Sequence, residues 1–163
     1  MSAKRRFLML GIGGLIGAAA VGTAALWPDS SAETAIVLKS GDPAVVREGR
    51  AIYAAQCASC HGVHLEGQPN WRERGTDGRL PAPPHDETGH TWHHPDAMLF
   101  KLTKEGPPKE IGNGEPYYSN MPAFEGVLSD EEIVAVLSYI KSRWPEDVQS
   151  RHDQMNAQMA GQR

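Results

Sequence analysis

Apolar residues in this chain come in runs with helical spacing, separated by long stretches that hold almost none. The first run, Phe7 to Leu26, is uncharged and closes at Trp27-Pro28. The second, Pro43 to about Gln56, opens with Asp42 as N-cap and proline at the first helical position. Its apolar side carries Val45, Val46, Ile52 and Tyr53, and Gly49 leaves a bare patch of backbone. Pro95 then begins a helix over Asp96 to Lys104, with Met98, Leu99 and Leu102 on one face and Gly106 as the stop. Ser129-Asp130-Glu131-Glu132 is a capping box. It predicts a last helix from Asp130 to about Arg143, where Ile133, Val134, Val136, Leu137 and Ile140 recur before Trp144-Pro145. No segment alternates as a strand would, so the pattern is all-α.

The connecting stretches are unusual for a helical domain. Gly62 to Pro84 is rich in Gly, Pro and charge, and Pro107 to Gly126 is a second long loop. Asp29 to Ser40 reads as a small, polar tether. Pro145 to Arg163 has no apolar stripe and reads as a frayed helix or a disordered tail. So few apolar residues leave a small helical domain short of core, and something other than side chains has to fill it.

The cysteines say what that is. The only two in 163 residues lie in Cys57-Ala58-Ser59-Cys60-His61, a C-x-x-C-H run, the attachment sequence of a c-type haem. One turn of backbone presents two thiols that can add to the haem's two vinyl groups, and the next residue, His61, is placed under the iron. A thioredoxin-like pair would need a βαβ context, and no Val/Ile-rich strand precedes Cys57. A structural zinc site would need a second ligand pair at metal spacing, and none occurs.

Length allows one domain of about 100–150 residues with appendages. Lys4-Arg5-Arg6 before the uncharged run is an export signal, which agrees with haem attachment on the far side of a membrane. The run is long enough to span a hydrocarbon core of ~30 Å, and Trp27 suits an interface, so residues 1–27 are expected to be a signal-anchor helix rather than a cleaved peptide. Small-residue cleavage sites at Gly22-Thr23-Ala24 and Ser30-Ser31-Ala32 support the alternative of a free exported protein. Without Lys4, Arg5 and Arg6, the 16 Lys+Arg become 13 against 20 Asp+Glu, a net charge of −7. An acidic domain is a poor partner for nucleic acid or an anionic lipid surface.

A haem held by His61 needs or lacks a sixth ligand, and the candidates are methionines and histidines. Met121 is the best placed: Pro122 stiffens its loop and the capped last helix begins eight residues later. Thioether ligation would raise the reduction potential. Met98 is expected to pack, and Met155 and Met159 lie in the tail. The segment from Pro83 to His94 carries His85, His90, His93 and His94. It is read as pocket wall, with Trp92 or a histidine reaching the haem propionates, in preference to a second copper or zinc site.

Cys57, Cys60 and His61, then Asn120-Met121-Pro122, between two terminal helices, resemble a class I, mono-haem c-type cytochrome of the membrane-anchored bacterial kind. The likeness covers about Pro43 to Trp144, and Gly49 and Tyr53 with Val136 and Tyr139 resemble the family's helix crossing. The resemblance implies the cytochrome c fold, three to four helices and long loops around one covalent haem c. It implies His61 and Met121 as axial ligands, and a proline carbonyl (from Pro81, Pro83 or Pro84) accepting the His61 N–H. The domain plan is then 1–27 signal or anchor, 28–41 linker, 42–144 haem domain and 145–163 tail. The implied function is one-electron transfer between redox protein partners at the periplasmic face of an inner membrane, or in the periplasm if 1–27 is cleaved. The absence of any nucleophile elbow, H-E-x-x-H or phosphate loop fits a non-enzyme with no small-molecule substrate. The alternatives are a haem subunit fixed in an oxidase or dehydrogenase complex, and a peroxidase or gas-binding protein with an open sixth position.

Overall fold

The computed structural model describes residues 35–110 and 116–161. The segment expected to be a signal or membrane anchor lies outside them, and among the described residues no helix is long and apolar enough to cross a membrane. Among the described residues five α-helices follow one another: α1 Pro43–Gln56, α2 Ala58–His61, α3 Asp96–Glu105, α4 Asp130–Ser142 and α5 Glu146–Ala160. A 3-10 turn, Thr91–His93, precedes α3. Among the described residues there is no strand, only an isolated bridge between Glu110 and Pro116. The all-α expectation holds.

α1 starts where its cap predicts. The Asp42 carboxylate accepts from the Ala44 N–H at 2.8 Å, and Pro43 takes the position whose N–H has no helical partner. α4 has the full capping box, with Ser129 Oγ accepting from Glu132 N–H and Glu132 accepting from Ser129 N–H. These two helices cross tightly. A Cβ on Gly49 would come within 1.9 Å of the Ala135 carbonyl oxygen and 2.9 Å of Tyr139 Cβ, so only glycine lets the backbones meet. Tyr53 packs beside the crossing, 5.4 Å from the Tyr139 ring, and its hydroxyl donates to Gly62 O. The apolar core gathers Tyr53, Ile133, Val136, Leu137 and Ile140, joined by Leu65, Leu99 and Trp144.

The stretch after the cysteines is an ordered loop, tied by its own backbone. Gly67 N–H bonds His61 O, Gln68 N–H bonds Ala82 O, and His85 N–H bonds Leu65 O. Gly67 has φ of 69°, and any Cβ there would strike the Pro84 nitrogen at 2.4 Å. At the far end of α3, Phe124 and Glu125 give their N–H groups to the Thr103 and Lys104 carbonyls, closing that terminus.

Two segments differ from their sequence reading. The described end of the tether is docked: Leu38 is buried, its N–H donates to Asp96 Oδ2, and Lys39 N–H donates to Ser138 Oγ. Of the two readings of the tail the helical one holds, but the helix, α5, is docked rather than frayed. It buries Val148 and His152, and Lys141 and Asp153 form an ion pair between α4 and α5. Hydropathy could not reveal this, because α5 is held mainly by polar groups.

Candidate functional site

Beneath the α1–α4 crossing lies a cavity of about 420 Å³, open to solvent on one side and within the range of ligand sites. Cys57 ends α1 and begins α2, which carries Cys60 and His61, so one short element delivers all three side chains to the cavity. Leu99 and Leu102 of α3 and Val136, Leu137 and Ile140 of α4 supply apolar walls. Met121 and Pro122 come from the late loop, and His85, His90 and His94 from the histidine-rich segment.

His61 is buried, and its Nδ1–H donates to Pro83 O at 2.8 Å, which selects Pro83 among the three prolines left open by the sequence. A carbonyl oxygen only accepts, so the proton is on Nδ1 and the Nε2 lone pair is left free. Burial holds the ring's pKa below its ordinary value, against the Pro83 bond, and so favours the neutral, ligating form. Burial, helped by nearby Cys60, pushes the Cys57 thiol up to about 11. Both cysteines are free thiols.

The residues present fit a covalent haem. Two unpaired thiols and a neutral imidazole with a free nitrogen lie on one short helix facing an apolar cavity. That donor set matches two thioethers and one iron ligand, with a carbonyl fixing the imidazole from behind.

The structure sorts the remaining candidates. Met121 lies on the cavity wall, with its N–H bonded to Ser119 Oγ. Met98, expected to pack, is 44 % exposed and also lines the cavity, so two methionines reach it. Met159 is exposed on α5. The histidine-rich segment divides. His85 stacks on His61 with 4.0 Å between ring centroids and bonds Thr91 Oγ1 through Nδ1. His90 stacks on Trp71, whose other neighbour is the Arg72 guanidinium. Trp92 and His93 stack on each other outside the cavity, and Trp92 Nε1–H donates to Glu87 O. Among the described residues no group of three or more His, Cys, Asp or Glu is arranged to hold a metal ion.

Sequence reasoning missed the residues that hold this wall from behind. Trp144 Nε1–H donates to His85 O at 2.7 Å, and His152 donates to His94 O at 2.9 Å. The only signal was a histidine and an asparagine, His152 and Asn156, one turn apart in a polar tail, and that pattern is too common to mean anything alone.

A family model described as Cytochrome c matches residues 46–144. No solved structure matches the chain.

Proposed function

The chain belongs to the cytochrome c family and binds haem c covalently, and from that premise we propose that it is a mono-haem carrier of single electrons. When bound, the haem supplies a one-electron iron couple. Cys57 and Cys60 would be its attachment points, and His61 Nε2 and Met121 Sδ would ligate its iron.

The carrying observation is that His61, with its Nδ1–H committed to Pro83 O, faces the same cavity as Met121. The Pro83 bond orients the ring and raises its donor strength. Pro122 and the capped start of α4 hold the methionine loop at its other end. Leu99, Leu102 and Val136 line the cavity with apolar surface that would keep water from the haem, which would favour the less charged reduced state. Nothing on the cavity wall needs to act as acid or base for such a task. The neutral histidines there, their pKa values lowered by burial, serve as packing groups.

The partners are redox proteins that dock near the open side of the cavity. Their location follows from the export signal at Lys4 to Leu26 and from haem attachment outside the cytoplasm, with residues 1–27 as a membrane anchor. A visible spectrum and redox titration of wild type and Met121→Ala test the ligation. The expected wild-type spectrum is low-spin with a methionine–iron charge-transfer band in the far red. Met121→Ala should lose that band and drop sharply in potential. An unchanged potential removes Met121, and Met98→Ala, made alongside, shows whether the other cavity methionine is the ligand.

A further inference from the structure

The family match ends at residue 144, yet α5 begins at Glu146 and touches the cavity wall from behind. It packs on the 3-10 turn Thr91–His93. His152 is its anchor, with 0 % of its surface exposed. Because His94 O can only accept, the His152 proton is on Nε2. Asn156, one turn later, gives an Nδ2 proton to the His152 carbonyl at 3.0 Å, which places its amide 3.3 Å from the ring's Nδ1.

Asn156 extends the clamp to α3. Its Oδ1 accepts the Asp96 N–H at 2.9 Å, and its Nδ2 donates to Asp96 Oδ1 at 3.0 Å. The N-cap of α3 is Pro95, which offers no capping side chain, so Asn156 does that work from another helix. Asp96 Oδ2 in turn receives the Leu38 N–H. The wall segment from His94 to Asp96 is therefore gripped at both ends by two residues of α5, and His94 itself faces the cavity.

We infer that α5 is part of the haem site and that His152 is its positioning residue, fixing the cavity wall through the His94 carbonyl. The inference rests on the reading that haem fills this cavity. A helix docked for stability alone would be expected to bury an apolar stripe. α5 buries Val148 and His152, and His152 and Asn156 bond the segment that encloses the cofactor. Loss of the His152 donor frees His94 O, loosens the wall and admits water. A wetter surrounding favours the more highly charged oxidised state, so the potential falls.

The test uses the full, haem-loaded chain and reads the midpoint potential and the Soret circular dichroism of three variants. His152→Leu is expected to lower the potential and alter the Soret dichroism. His152→Gln, whose amide can still donate to His94 O, should restore both. Asp153→Asn breaks the α5 ion pair with Lys141 without touching the wall; it should lower the urea midpoint and leave the potential alone. A wild-type potential in His152→Leu, or an equal fall in Asp153→Asn, overturns the inference. If His152→Leu does not accumulate, His152→Asn against His152→Gln asks the same question, because the shorter amide cannot reach His94 O; equal potentials again overturn it. A wild-type chain whose mass shows no attached haem would remove the functional reading, and this inference with it, whereas unchanged variants of a haem-loaded protein remove only the inference.

Discussion

Single residues decide how closely the helices approach and how the candidate ligand is aimed. Gly49 is the clearest case, since its missing side chain is filled by the backbone oxygen of Ala135, which cannot rotate away. Gly49→Ala is expected to lose at least about 1–3 kcal/mol of stability, as overpacked cores do. A drop in urea midpoint at an unchanged slope would show it. Glycine and tyrosine on one helix, with valine and tyrosine on another, suggested a crossing only through their resemblance to the family's. Which atom of the second helix Gly49 meets was not readable in the sequence, because that depends on the angle and depth of packing. Pro83 was likewise one of three equivalent prolines until the loop's own hydrogen bonds placed its carbonyl over His61.

Helices whose signals are local were legible almost to the residue. The caps of α1 and α4 are bonds between a side chain and a backbone three residues away or fewer, so they can be read from order alone. Ser129→Ala removes one of the two capping-box bonds and should cost about 0.5–2 kcal/mol, read by thermal unfolding, with the absorption spectrum unchanged. The docking of α5 was invisible by the same logic, for its anchors reach residues about sixty positions away. His152 also makes α5 acid-sensitive. Around it stand Lys141 on α4, Asp96 on α3 and Asp153 on α5, with the His94 carbonyl on the Nε2 side. Burial, with Lys141, lowers its pKa below the ordinary histidine value in the folded state. The unfolded chain therefore takes up a proton near pH 6.5 that the folded chain refuses. Stability from this group is intact above that pH, falls as pH drops below it, and levels off under the depressed native value. The melting temperature of wild type should accordingly fall more between pH 7 and pH 5.5 than that of His152→Gln, which has no proton to bind.

At the scale of the molecule the covalent haem belongs to the core, because side chains of α3 and α4 line the cavity that would hold it. Among the described residues the cavity's apolar lining, around a space of about 420 Å³, has no side-chain partner across it, and the haem would supply that contact. Cys57→Ser combined with Cys60→Ser, which removes both attachment points, should therefore leave a chain with reduced helical circular dichroism and no cooperative melt. A native-like melt in that variant would mean the side chains suffice alone.

Order along the chain by itself determined the helices with local caps, the attachment of haem at Cys57 and Cys60, and His61 beside them. Each depends on residues within one or two turns of one another. Only the tertiary structure decided that Met121 and His61 face one cavity, that Pro83 holds the imidazole, that Met98 reaches the same space, and that a polar tail becomes a helix clamping the wall. Those facts turn on groups far apart in sequence, whose meeting is set by how the helices pack around the apolar space beneath Gly49.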